Sequence, residues 1–373
     1  MRIFRFRRIF AIPLFIILCG LFITGCYGGS FQPHGWAGPV VSDGTVFFNS
    51  SAGDLRAVDT SSRNKLWDFV PKTTEKTTSF GCSSSSPSLV IYGTPVVSDG
   101  AIYFGDYSGE IYSLDVENGT KNWECTVEGS VIGSPAVDGN TLVVGTSEGK
   151  LYALNAQTGV LLWDEPFDAG GKIWADPVIA DGKVYFGELD HKLRAVYLES
   201  GELVWEKEFA GAIASTVLEV EGTLYFGTFE NKFYALDAAT GDLRWEEPFE
   251  AEDWFWARPV YDQGTIYVGS IDHNIYALDA ETGIQRWVKH TGGEIRAAAV
   301  LYEGSLIVAS RDGKVYGLDA QTGNEKWAAS DLGSEILADP WIDGDTVYVI
   351  DQDRTLHALE AETGRVIWHT ATE

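Results

Sequence analysis

The stretch Leu151-Tyr-Ala-Leu-Asn-Ala-Gln-Thr-Gly-Val-Leu-Leu-Trp163 recurs in near copies from one end of the chain to the other, and this recurrence limits the fold more than any other feature. Close copies end at Trp245, Trp287 and Trp327, and looser ones end at Trp67, Trp123, Trp205 and Trp368. The eight terminal tryptophans follow one another at intervals of 56, 40, 42, 40, 42, 40 and 41 residues. A period of about 40 to 45 residues built from short strands marks a propeller blade. The length of 373 residues would otherwise allow two or three domains. The repeat instead predicts one all-β domain over residues 36–373, an eight-bladed β-propeller of four-stranded antiparallel blades.

The sixth unit shows the grammar most clearly. Ala257-Arg-Pro-Val-Tyr261 is followed by a turn at Asp262-Gln-Gly264, then Thr265-Ile-Tyr-Val-Gly269, then a loop at Ser270-Ile-Asp-His273. Ile275-Tyr-Ala-Leu-Asp279, a turn at Thr282-Gly283 and Ile284-Gln-Arg-Trp287 complete it. These are four runs of β-branched and aromatic residues punctuated by turn signals, as strands require. In the Asp-x-x-Thr-Gly turn the Asp side chain can accept turn amides, and Gly takes a positive φ without steric cost. The first unit departs from the pattern, with Arg63 where the others have Gly. The first unit opens with a first strand at Pro39-Val-Val and the last ends with a fourth strand at Trp368. Each blade is therefore expected to be complete within one unit, and the ring to close by packing of blade 8 against blade 1. The single long interval reflects a Thr/Ser-rich insertion at about 71–88, between blades 1 and 2, that contains Cys82.

Residues 1–25 carry Arg2, Arg5, Arg7 and Arg8, an apolar run from Ile9 to Thr24, and small residues before Cys26. This is the pattern of a signal peptide, too short for a comfortable membrane span. Ile23-Thr24-Gly25-Cys26 resembles the lipobox of bacterial lipoproteins, which implies lipidation at Cys26, and residues 26–35 read as the lipidated Cys and a short tether. Tyr27 carries no inner-membrane retention signal of that family, which implies the outer membrane where one exists. Without the signal, 23 basic side chains face 54 acidic ones. Such a surface repels nucleic acid. Cys82 and Cys125 are the thiols left in an exported chain, where a disulfide between them and two buried free thiols are both open.

The unit Tyr-Ala-Leu-Asp-Ala-x-Thr-Gly-x-x-x-Trp resembles the PQQ-like propeller repeat, and the resemblance covers residues 36–368. It implies that Trp67, Trp123, Trp163, Trp205, Trp245, Trp287, Trp327 and Trp368 dock between neighbouring blades as core. Eight such repeats behind a lipobox resemble the propeller lipoproteins of the outer-membrane β-barrel assembly machinery. That implies a non-catalytic, monomeric scaffold binding a protein partner in the cell envelope. The same repeat occurs in quinoprotein dehydrogenases and sensor domains, which leaves a small-molecule propeller as the alternative.

Aligned units give a first column at the start of each first strand, Trp36, Tyr92, Ile132, Trp174, Ala214, Trp256, Arg296 and Leu337. Two residues on, facing the same way, stand Gly38, Thr94, Ser134, Asp176, Thr216, Arg258, Ala298 and Asp339. Between them every residue is small, which suits convergence on an axis. The irregular columns nominate Trp36, Tyr92, Trp174, Asp176, Trp256, Arg258, Arg296 and Asp339 as a partner-binding rim. The competing reading is an aromatic channel plug with Arg296 paired to Asp339. Ser50, Asp106, Thr146, Glu188, Thr228, Ser270, Ser310 and Asp351, at the second-strand ends, are expected on the same rim. No adjacent cysteine pair, haem-attachment motif, nucleophile elbow or phosphate loop appears, so no catalytic residue, cofactor or metal is expected. Asp351 with Asp353, Asp190 with His191, and Asp272 with His273 lack the ligand spacing a metal site needs.

Overall fold

The computed structural model describes residues 36–50, 53–71 and 90–370. The signal segment, Cys26, the tether, the bulk of the insertion and Cys82 lie outside the described residues. The described chain forms eight four-stranded antiparallel sheets, each made of four strands consecutive in sequence. Each blade is thus complete within its own unit, from Val40–Ser42 in blade 1 to Val366–Thr370 in blade 8. In blade 6 the strands are Val260–Asp262, Thr265–Gly269, Asn274–Asp279 and Gln285–His290.

First and second strands are joined by two-residue hairpins, and in six of the eight blades both central residues take positive φ, as at Gln263 (42°) and Gly264 (79°). That backbone matches the twist of the strands it joins. Blades 3 and 5 deviate at the outer edge, where the fourth strand shrinks to Phe167–Asp168 and Phe249–Glu250. Pro166 and Pro248 precede these remnants and have no N–H to give to the ladder.

At six of the eight seams the repeated tryptophan and the glycine turn of the next blade act together, as between blades 5 and 6. Asp279 Oδ1 accepts the amides of Glu281 and Thr282 at 3.1 and 2.9 Å and the Thr282 hydroxyl at 2.8 Å. This turn of blade 6 presents the Ala280 carbonyl to blade 5, where Trp245 Nε1 and the Tyr225 hydroxyl both donate to it at 3.0 Å. Gly283, at φ 74°, lies so close that a Cβ there would stand 2.7 Å from the Trp245 ring. The same indole-to-carbonyl bond joins blades 1 to 2, 2 to 3, 3 to 4, 4 to 5 and 6 to 7.

Six motif tryptophans are buried as expected, but Trp287 and Trp327 are half-buried. At Trp327 the register slips around Gly317, in a seven-residue fourth strand, against six and five residues in blades 6 and 8. Its indole N–H is left buried without a partner. At closure, Val41, Val46, Phe48 and Val58 of blade 1 form one core with Tyr348, Ile350, Leu356, Ala358 and Trp368 of blade 8. Here Arg63, at φ 61°, replaces the seam glycine and sets its guanidinium 5.9 Å from the Trp368 ring centroid.

Candidate functional site

The first strands run along the axis with buried and channel-facing residues alternating, because strand side chains alternate with period two. The all-small column packs backbone against backbone. A Cβ on Gly93 would meet Gly133 at 2.4 Å, and one on Gly133 would meet Ala175 at 2.9 Å. The flanking columns therefore face the axis, and all eight residues nominated from the sequence line one axial pocket of about 80 Å³.

Within that pocket the residues divide by what they touch. Five contacts link six rings across the mouth. Trp36 meets Tyr92 edge-on at 4.5 Å and Trp256 at 6.2 Å. Phe229 stacks between Trp256 and Trp254 at 5.3 and 4.8 Å, and Tyr92 meets Tyr107 at 5.6 Å. Trp254 and Tyr107, the two ends of this ladder, are 43% and 52% exposed. The middle is a plug and the ends are open surface, so the two readings of these aromatics apply to different rings.

Tyr107, Phe229 and Trp254 were missed from sequence because they lie one or two positions outside the aligned columns. Tyr107 and Phe229 follow the second-strand ends, and Trp254 stands two residues before Trp256. A backbone bond ties the residue after a blade's second-strand end to the segment leading into that blade's first strand, as from Ile271 N to Trp254 O at 3.0 Å and from Tyr107 N to Val90 O at 2.9 Å. Aromatic residues in otherwise polar loop positions were the available signal.

The pairing of Arg296 with Asp339 that belonged to the competing plug reading does not occur. Arg296 bonds Glu294 at 2.7 Å and lies 5.5 Å from the Trp256 centroid. Arg311 bridges Glu294 and Glu335 at 3.0 and 2.9 Å, so the mouth is charged over blades 7 and 8, while the ring ladder spans blades 1, 2, 5 and 6.

Asp339 and Asp176 serve a different purpose. Each second-column side chain tends to accept the amide of the second-column residue one blade earlier, as in Gly38 N to Thr94 Oγ1 at 3.0 Å and Thr94 N to Ser134 Oγ at 2.9 Å. Ser134 N donates to Asp176 Oδ1 at 2.6 Å and Ala298 N to Asp339 Oδ1 at 2.7 Å. This belt satisfies backbone donors exposed where the blades converge. Burial pushes the Asp176 carboxyl above its ordinary pKa, against its hydrogen bonds from Ser134 and Thr216. An arginine has no acceptor to offer such a belt. Arg258 is exposed into the channel, and among the described residues its guanidinium makes no hydrogen bond or ion pair.

The second-strand-end column is not on the rim. Ser50, Asp106, Thr146, Glu188, Thr228, Ser270, Ser310 and Asp351 are all buried. They satisfy the hairpin they begin, since a buried polar group needs a partner. Asp106 Oδ1 accepts the amides of Ser108 and Glu110 at 2.9 and 3.0 Å. Asp351 lies 2.8 Å from His357 Nε2, and Glu188 is in contact with Arg194. Burial raises the Glu188 carboxyl to about 7, outweighing Arg194. Among the described residues no three His, Cys, Asp or Glu side chains gather as a metal site. Cys125 is half-buried, and burial raises its thiol pKa; its pairing with Cys82 falls outside the described residues.

Eight four-stranded blades sealed by a tryptophan on a glycine turn, around an axis lined by first strands, define a propeller of the PQQ-like repeat class. The chain belongs to the family described as Outer membrane protein assembly factor BamB, whose model matches residues 27–130, 108–253, 190–330 and 288–373. A curated protein of that name from Xanthomonas campestris pv. campestris is 28% identical over 94 residues, covering 25% of this chain and 22% of that protein. A quinohemoprotein alcohol dehydrogenase from Comamonas testosteroni is 30% identical over 94 residues, covering 25% of this chain and 13% of that enzyme. The matched stretches thus span under a quarter of either relative. The crystal structure of BamB from Moraxella catarrhalis superposes with a TM-score of 0.70 at 18% identity, covering 86% of this chain and 93% of that one, which is a likeness of fold.

Proposed function

We propose that this chain is a lipid-anchored, non-catalytic scaffold of the cell envelope that docks a protein partner of β-barrel assembly on its mouth face. The single observation that carries the reading is the aromatic ladder, whose exposed ends belong to a chain of the BamB family. Aromatic and arginine side chains dominate the energetics of protein interfaces. The nominated set of Trp36, Tyr92, Trp174, Asp176, Trp256, Arg258, Arg296 and Asp339 supports the surface from within, while Trp254 and Tyr107 meet the partner. Cys26 anchors the propeller near the membrane, at the outer membrane where one exists, through the tether of residues 26–35. The anchored chain acts as a monomer.

The test is capture of assembly components from native membranes by the full chain. Tyr107→Ala with Trp254→Ala should weaken capture about thirtyfold, which corresponds to about 2 kcal/mol, and leave the unfolding midpoint in place. Undiminished capture would remove the mouth face as the docking site.

The dehydrogenase-like reading draws support from the quinohemoprotein relative. The mouth pocket of about 80 Å³ is too small for such a ligand, and of the axial compartments only the wider one of about 420 Å³ below it has the size. A shifted absorbance of pyrroloquinoline quinone on mixing with the protein and Ca²⁺ would favour that reading instead.

A further inference from the structure

Below the belt the axial channel widens into a second compartment of about 420 Å³, running from Thr94, Ser134, Asp176, Thr216, Arg258 and Asp339 down to Ser42 at the turn face. Its walls are apolar. Prolines enter it from five blades, at Pro39, Pro95, Pro135, Pro177 and Pro340, with Val40, Val97, Val178, Ile179 and Trp341 beneath them. The belt residues line both compartments, so the two adjoin at this waist.

Two donors at the waist lack partners. One is the guanidinium of Arg258, which stands in a column whose other polar members serve backbone amides and which breaks that pattern. The other is the indole N–H of Trp174, buried in the upper pocket without an acceptor. An unsatisfied buried donor such as the Trp174 N–H is uncommon and calls for an explanation, whereas the exposed Arg258 guanidinium is a free charge facing the channel. Asp176 faces Arg258 closely enough to act on it by charge, but neither Asp176 nor Asp339 hydrogen-bonds or ion-pairs with it, and each gives an oxygen to a neighbouring blade's amide. A planar guanidinium favours carboxylate and phosphate oxygens, while the vestibule has the size and apolar lining of a small-ligand site.

We infer that the axial channel is a binding site for a small anionic amphiphile, with its acidic head against Arg258 and Trp174 and its apolar tail in the proline-walled vestibule. The ligand enters from the turn face, opposite the aromatic mouth, so the site works independently of partner docking.

The test is calorimetric titration of the full chain in lipid nanodiscs with decanoate, using empty nanodiscs as the blank and decanamide as the uncharged counterpart. Decanoate should bind once per chain and at least tenfold more tightly than decanamide. Arg258→Met should weaken decanoate at least tenfold without moving the unfolding midpoint, and Arg258→Lys should recover most of the loss. Ala136→Phe, which fills the vestibule and leaves the waist intact, should weaken both ligands alike. No saturable decanoate binding, equal affinity for decanamide, or binding indifferent to Arg258→Met would overturn the inference. Loss of partner capture by the mouth variants would leave this result unchanged, so the two proposals fail separately.

Discussion

The seams and the mouth of this propeller are made from the same repeat and obey opposite rules. At the seams one arrangement is copied from blade to blade, with an indole over a glycine and its N–H on the carbonyl of the next turn. At the mouth no two blades agree. Aromatics occupy blades 1, 2, 5 and 6, while an arginine and glutamate network occupies blades 7 and 8. Repetition marks where packing dictates the residue, because every seam poses the same steric problem. Variation marks positions that packing leaves free. The belt inside the mouth shows the limit of that rule, since Asp176 and Asp339 vary from their neighbours and yet bind backbone.

The largest expected effect is at a regular seam. Trp245→Ala should cost about 3 to 5 kcal/mol in denaturant unfolding, because it empties a buried indole site and removes a donor from Ala280. Trp327→Ala should cost distinctly less, at about 1 to 3 kcal/mol, since that indole is half-buried and its N–H already lacks a partner. Equal losses would break the ranking of the seams.

Next is the glycine beneath the indole. Gly283→Ala combines a positive φ with a Cβ inside the Trp245 ring, and about 2 kcal/mol or more of destabilisation should follow. At closure, Arg63→Gly should stay within about 1 kcal/mol, because the turn already tolerates a side chain there. A large loss from Arg63→Gly would show that its contact with Trp368 helps to lock the ring.

For the mouth, stability and binding should come apart. Tyr107→Ala with Trp254→Ala should lose about 2 kcal/mol of partner capture and less than about 0.5 kcal/mol of folding stability, since both rings are largely exposed. Trp256→Ala should lose stability as well, because its ring is stacked on Phe229 within the plug.

A pH-dependent effect belongs to the buried polar column. Glu188 has its carboxyl raised to about 7, so the folded protein binds a proton there that the unfolded chain gives up near 4.5. Its contribution is present below that lower value and lost as pH rises through about 7. Thermal unfolding should show a falling midpoint between pH 5 and 8 that Glu188→Gln abolishes; an unchanged slope would mean that Arg194 holds the carboxylate charged.

Blade number, blade boundaries and the axial columns were legible because a repeat writes the same steric requirement eight times in the chain. Trp36 and Trp256 could be placed in one column, yet nothing in their spacing shows that they meet across the axis at 6.2 Å. The second-strand ends were legible as polar and misplaced on the rim. Polarity reads the same whether a side chain serves water or the amides of its own hairpin, and in Asp106 it is the amides.

The sequence by itself determined the ring of eight blades, the positive-φ turns and the identity of the seam tryptophans, since each follows from local conformation and from a period that chain geometry must respect. Tertiary structure alone decided which irregular residue packs, which accepts an amide and which stands without a partner. Those outcomes depend on distances between blades about 40 residues apart in the chain, and no local propensity encodes them. Asp176 and Arg258 stand in the same column two blades apart. Only the fold shows that one is tied to Ser134 and that the other reaches into the channel unpaired.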